Sequence, residues 1–109
     1  MRFTINLVLI VATAFISNAF AWDGTVNGRV TKVEIAPASD LKYRIFLDGG
    51  VKICDTSSDK ASFAYINPTD PTYQAVVSLS MLARTSNNKA TIYTTRDANG
   101  YCKIGDIQY

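Results

Sequence analysis

Two cysteines are the most reactive side chains in this sequence, and it contains no histidine. The lack of histidine excludes Ser-His-Asp and Cys-His catalysis and most zinc sites. Cys54 and Cys102 are also too distant in sequence for a Cys-x-x-Cys redox pair. An even cysteine count in a small exported chain predicts a disulfide, and two free buried thiols are the alternative.

The carboxylates give no catalytic pattern, because no two acids stand at a helical or strand spacing that suggests acid–base work. Asp55 with Asp59, and Asp97 with Asn99, offer oxygen atoms to calcium. Neither pair matches a calcium-binding loop, so solvated turns are the preferred interpretation. We therefore expect no enzyme, no catalytic residue, no metal and no cofactor.

Aromatic and basic residues together predict a binding surface. Phe46 lies on the outward parity of a predicted strand, beside Arg44 and, across a predicted hairpin, Lys52. Loops around Ser39 and over residues 96–101 would form the rim of this surface. The predicted ligand-binding residues are Arg44, Phe46, Lys52, Arg96 and Tyr101. The alternative is that loops of the same chain, or a partner subunit, cover Phe46.

The first 21 residues are predicted to be a signal peptide. Arg2 supplies a positive charge, residues 7–16 form a short apolar run, and residues 19–21 are an A-x-A cleavage pattern. Cleavage before Trp22 would leave one domain over residues 22–109, in the periplasm or secreted. The alternative, an uncleaved membrane anchor, fits poorly because a spanning helix needs ~20 apolar residues.

The order of predicted elements indicates an OB-fold-like domain. Strands are predicted over 25–35, 41–47 and 51–54, followed by a helix over 70–84 and strands over 90–95 and 101–109. Three strands, a helix and two strands form the five-stranded Greek-key barrel of the OB-fold, which is mainly β with one helix. That fold sets strands three and five side by side and so brings Cys54 near Cys102. A meander packed on one helix is the alternative.

Three details of these elements follow from local patterns. The apolar parity of the first strand changes near Thr31, which predicts a β-bulge, and Gly105 predicts a kink in the last strand. Asp70 is expected to cap the helix, with Pro71 at its first position. Asn87 lies in the segment predicted to end the helix.

The helix carries a wide apolar band, formed by Val76, Leu79, Leu82 and Ala83. Such a band exceeds what docking on one barrel requires, so we expect a homo-oligomer or a docked partner. The alternative is a monomer whose helix flanks are covered by Trp22 and the loop over residues 55–60.

Charge separates the classes of partner. The full chain has a net charge of +2, and Arg2 is its only charged residue before position 22, which leaves +1 for residues 22–109. No basic run is present, so nucleic acid is not expected as a partner. After cleavage no apolar stretch is long enough for membrane insertion.

Residues 64–73 (AYINPTDPTY) and 99–105 (NGYCKIG) are similar to a group of small exported bacterial proteins of unknown role. In architecture the chain resembles the OB-fold B subunits of AB5 toxins, which implies ring assembly and binding of cell-surface glycans. No sugar-site motif of those subunits aligns with this sequence, so no binding residue is carried over. The expected function is an exported, non-enzymatic domain that binds a glycan or another protein. The alternative is a structural or inhibitory protein that acts on a protein partner.

Overall fold

The computed structural model describes residues 22–109, so the predicted signal peptide lies outside the described residues. The described chain is mainly β with one helix. Its elements are β1 (Gly24–Ile35), β2 (Tyr43–Leu47), a 3-10 turn (Asp48–Gly50), β3 (Ala64–Ile66), α1 (Tyr73–Ser86), β4 (Lys89–Arg96) and β5 (Cys102–Gln108). The strands close into a ring in the order β1-β2-β3-β5-β4, and β4 pairs with β1.

The long first strand serves two neighbours. Its first half pairs with β4 and its second half with β2. The register shifts between Val30 and Lys32, which confirms the bulge predicted near Thr31. A second shift leaves Gly105 unpaired opposite Tyr93 and Thr94, which confirms the predicted kink in the last strand. The absence of a side chain at Gly105 leaves room for the Trp22 ring, which packs on Tyr93 at 5.6 Å between centroids.

The third strand differs from the prediction. Residues 51–54 form no strand, and β3 is instead the short segment Ala64–Ile66. Gly49 and Gly50, both at positive φ, turn the chain out of the sheet after β2. The Ile53 N–H then donates to the Ala61 carbonyl, 2.9 Å away, rather than to a neighbouring strand. A compact loop therefore separates β2 from β3.

The predicted disulfide is confirmed, although not by the predicted route. Cys54 and Cys102 are bonded, with their Cα atoms 5.7 Å apart. Cys54 lies in the loop before β3 and not on a strand, whereas Cys102 is the first residue of β5. Strands β3 and β5 are neighbours as expected, and they run parallel. The bridge therefore fastens the loop to the start of β5.

Helix α1 begins later than predicted, and the prediction that Asp70 caps it is wrong. Thr72 occupies the N-cap position without a side-chain hydrogen bond. The Asp70 carboxylate is already engaged, because it accepts the Asn67 N–H at 2.8 Å and pairs with Lys103 Nζ at 2.7 Å. The other end of the helix agrees with expectation, since Asn87 adopts the left-handed conformation and its N–H donates to Ala83.

The core lies inside the ring and under the helix. Its fully buried side chains include Ile45, Ile53, Ile66, Ile92 and Cys102. Tyr43 and Ser80 add a buried hydrogen bond of 2.7 Å between β2 and the helix. Only part of the predicted apolar band reaches this core: Val76 and Ala83 are buried, whereas Leu82 is 51% exposed.

Candidate functional site

Three aromatic rings lie in a line across the outside of the sheet. Phe46 is on β2, Phe63 directly precedes β3, and Tyr101 directly precedes β5. Adjacent ring centroids are 5.7 Å apart for Phe46 and Phe63, and 5.9 Å apart for Phe63 and Tyr101. These are ordinary distances for favourable aromatic pairs. We call Phe46, Phe63 and Tyr101 the aromatic row.

The strand register explains this line. Ile45 is opposite Ala64 on antiparallel strands, and Ala64 is beside Cys102 on parallel strands. One step along each strand sets Phe46, Phe63 and Tyr101 side by side, on the parity that points away from the core. Lys32 on β1 is the registered partner of Phe46 and extends the line by one strand.

Each ring of the aromatic row carries a cation. Lys32 Nζ lies 4.5 Å from the Phe46 centroid, Arg44 Cζ lies 4.9 Å from Phe63, and Lys60 Nζ lies 5.3 Å from Tyr101. A cation over a ring face is attracted by the ring quadrupole. The row therefore combines apolar faces with positive charge.

The three cations are held to different degrees. Arg44 is fixed, because its Nε donates to the Leu41 carbonyl at 2.8 Å and its guanidinium lies 3.9 Å from Glu34. Lys60 Nζ donates to the Asn99 carbonyl at 2.8 Å. Lys32 is exposed to solvent, and its ammonium faces the Phe46 ring. Lys32 is therefore the cation that a ligand can engage at the lowest cost.

Exposure also divides the rings. Phe63 is 8% exposed, enclosed by Arg44 and the two neighbouring rings. Phe46 and Tyr101 are only partly buried. A ligand on this surface would touch Phe46 and Tyr101, while Phe63 holds them in position.

A partly buried hydrogen-bond network positions Tyr101. The Tyr65 hydroxyl donates to Asp97 Oδ2 at 2.6 Å, and the N–H groups of Asn99 and Tyr101 donate to Asp97 Oδ1. Burial raises the pKa of Asp97, but the hydrogen bonds from Tyr65 and the loop outweigh it and hold that pKa below its usual value. Burial and the adjacent carboxylate raise the pKa of Tyr65 well above its usual value, so Tyr65 remains a neutral donor.

The structure divides the predicted ligand-binding residues between two places. Arg44, Phe46 and Tyr101 meet at the aromatic row through Phe63. Lys52 instead lines a groove of about 250 Å³, whose other lining residues are Asp23, Gly24, Thr25, Val26, Ile53, Cys54 and Asp55. Arg96 lies against the residues of this groove: its N–H donates to Asp23 Oδ2 at 2.7 Å, and its guanidinium donates to the Asp55 carbonyl.

The sequence patterns did not identify Phe63 of the row or the cations Lys32 and Lys60. The signal for Lys32 is the register of β1 with β2, whereas the signal for Phe63 is the register of β3, which needs β3 at its true position. Once residues 64–66 are taken as β3, the residue before it falls beside Phe46. A strand of three residues, all buried, has no polar alternation by which to recognise it.

Residues 22–109 contain no group of three or more His, Cys, Asp or Glu side chains placed to hold a metal ion. Of the helices between residues 22 and 109, none is long and apolar enough to cross a membrane. The oxygens of Asp97, considered for calcium, accept hydrogen bonds from Tyr65 and the loop.

Comparison with known proteins gives no match, whether to a family model, a curated protein or a solved structure.

Proposed function

We propose that this chain is an exported, non-enzymatic binding domain of OB-fold-like architecture that binds a glycan at the aromatic row. The observation that carries the proposal is the line of three rings, each with a cation above it. Sugar rings present flat C–H faces that pack on aromatic side chains. Cations beside those rings can donate to sugar hydroxyl and carboxylate oxygens.

The arrangement of strands supports the OB-fold part of the proposal. Five strands close in the order β1-β2-β3-β5-β4, and the helix lies between β3 and β4 in the chain. An OB-fold binds ligands on the outer face of strands two and three, between the loops after strands one and four. The aromatic row crosses that same face, and Tyr101 stands at the end of the loop after β4.

A glycan array probed with the mature protein, residues 22–109, tests this proposal. We expect binding to a limited set of glycans, and its loss in Phe46→Ala. Lys89→Met, which changes an exposed residue at the start of β4, serves as the matched control and should retain binding. Equal array signals for Phe46→Ala and the unchanged protein would remove the aromatic row from the proposal.

Export is tested separately. The proposal requires a mature N-terminus at Trp22 and protein in the periplasm or the medium. Mass spectrometry of protein recovered from each fraction measures both. A full-length chain that retains residues 1–21 would contradict cleavage.

A second function, binding of a protein partner or a second copy, is favoured by α1. Met81 is 48% exposed and Leu82 is 51% exposed, and the exposed side of the helix contains one charged residue, Arg84. Large apolar side chains on an exposed face are typical of a contact surface. Light scattering at micromolar concentration distinguishes a homo-oligomer from a chain of 88 residues, the length of 22–109.

A further inference from the structure

The two ends of the aromatic row carry lysines that form no ion pair within 4 Å in the described chain. Within residues 22–109, the ion pairs are Arg44 with Glu34 and Lys103 with Asp70. Lys32, over Phe46, and Lys60, over Tyr101, belong to neither pair. Arg44, the central cation, is thus paired with a carboxylate, whereas the outer cations Lys32 and Lys60 are in neither ion pair.

Of the outer lysines, Lys32 is the more movable, because Lys60 Nζ also donates to the Asn99 carbonyl. Lysine has a flexible stem and a compact ammonium with three donors, and a cation–π contact at an exposed site is weak. Lys32 can therefore leave the ring of Phe46 when a carboxylate offers a stronger partner. That movement uncovers the face of Phe46 at the same moment as it supplies a donor. Arg44, held by Leu41 and Glu34, stays in place.

The charges around the row exclude a long, evenly charged polyanion. Glu34 is the registered partner of Arg44 on β1, and Asp97 lies in the loop beside Tyr101. A nucleic acid places a phosphate at every nucleotide and needs clustered positive charge along its path. Here the positive sites stand at two separate positions with carboxylates between and beside them. A short chain that carries carboxylates beside apolar ring faces fits better.

We propose that the aromatic row binds a carboxylated sugar chain, with a sugar ring on Phe46 or Tyr101 and its carboxylate on Lys32 or Lys60. This inference rests on the proposed glycan binding and adds the chemical class of the glycan. Adjacent rings of the row are 5.7 and 5.9 Å apart, so the row is longer than one sugar ring and suits an oligosaccharide.

Calorimetry with matched ligands tests the inference. The probes are oligogalacturonate and hyaluronan oligosaccharide, each compared with its carboxyl-reduced form, which keeps the rings and the length but lacks the charge. We expect at least one acidic probe to bind about tenfold more tightly than its reduced form at low salt, as a charged hydrogen bond implies. The difference should shrink as the salt concentration rises.

Matched variants locate the charge. Lys32→Met and Lys60→Met keep the aliphatic stem, remove the ammonium and should each reduce the preference for the acidic probe, whereas Lys32→Arg should restore it. Lys89→Met loses the same charge away from the row and should leave it unchanged. Thermal unfolding of each variant confirms that the fold is retained.

The outcomes separate this inference from the proposed function. Equal affinity for the acidic and reduced probes, or failure of both acidic probes to bind, overturns the carboxylate inference. Neutral glycans that still bind on the array leave the proposed function standing. Tighter binding of a single-stranded oligonucleotide than of either acidic probe overturns the inference in favour of nucleic acid.

Discussion

Basic side chains serve opposite purposes on the aromatic row and at the groove beside Gly24. On the row, Lys32 and Lys60 lie over aromatic rings, and of the two only Lys60 also donates to a backbone carbonyl, that of Asn99. At the groove, Arg96 is tied to Asp23 and Asp55, and the nearby Cys54 is bonded to Cys102. A cation whose side chain donates to a backbone carbonyl, such as Arg96, is held as part of the scaffold, whereas Lys32, which lies over the partly buried ring of Phe46, is free to move.

The largest expected loss of stability comes from removing the disulfide of Cys54, which lines the groove. Replacing both Cys54 and Cys102 with alanine opens a loop that spans 48 residues. The chain-entropy model predicts a loss of about 4 kcal/mol in the free energy of unfolding. Urea denaturation of the paired variant measures this loss. Titration of the unfolded, unreduced protein should find no free thiol, and two reactive thiols there would contradict the bond.

A smaller effect is expected from Gly24→Ala at the floor of the groove. A Cβ atom at Gly24 would stand 2.0 Å from the Ile53 carbonyl oxygen and 2.7 Å from Cys54 Cα, and both are backbone atoms. Forcing them apart should cost about 1–3 kcal/mol. Gly28→Ala on the same strand is the control, since its nearest atom is Leu47 Cδ1 at 3.6 Å. Equal denaturation midpoints for the two variants would show that the backbone of Ile53 and Cys54 shifts to accept the new Cβ atom at no measurable cost in stability.

Tyr65→Phe tests whether the row depends on the network beneath it. The change removes the donor to Asp97, a hydrogen bond to a charged acceptor that contributes about 1.5–3 kcal/mol. We expect a loss near the low end of that range, because Asp97 keeps the N–H donors of Asn99 and Tyr101. Fluorescence-monitored denaturation measures it. No change in the unfolding free energy would separate Tyr65 from the positioning of Tyr101.

The same network predicts how stability depends on pH. The pKa of Asp97 is held below its usual value in the folded chain, so the unfolded chain binds more protons at acidic pH. The stabilisation is complete above the unfolded pKa of about 3.9 and is lost as the pH falls through the folded pKa. Tyr65→Phe should flatten this acid-induced loss. If Tyr65→Phe leaves the decline of unfolding free energy at acidic pH unchanged, that decline comes from other carboxylates.

The smallest expected effect concerns Asp70. Asp70→Ala should lower the free energy of unfolding by about 1 kcal/mol, because the carboxylate loses its ion pair with the partly exposed Lys103 and the hydrogen bond from Asn67. A double-mutant cycle with Lys103→Met separates the contribution of the ion pair from that of the hydrogen bond. Coupling of a few tenths of a kcal/mol supports the ion pair, whereas strictly additive losses would contradict it.

Three of the confirmed predictions have a local cause. The bulge near Thr31, the kink at Gly105 and the left-handed Asn87 each depend on residues within a few positions. The features that the sequence patterns missed depend on distant partners. Asp70 is a residue type that often caps helices, but its carboxylate pairs with Lys103, which lies on β5.

The candidate site was half predictable for the same reason. The parity of β2 placed Arg44 and Phe46 on the outer face correctly. Lys52 was assigned to that face on the assumption of a returning strand, which the turn at Gly49 and Gly50 prevents. Phe63 and Lys60 could not be recognised, because only the pairing of β3 with two other strands brings them to Phe46 and Tyr101.

The seam between β3 and β5 is short, with two registered pairs, Ala64 with Cys102 and Tyr65 with Lys103. The disulfide lies at this seam, and Phe63 and Tyr101 flank it. We therefore expect the disulfide to stabilise this seam: while the thiols remain reduced, the ring should open first here and the two halves of the row should separate. In native-state hydrogen exchange of the reduced protein, the amides of β3 should lose protection before those of β4. The aromatic row would then form fully only in a compartment in which disulfides form.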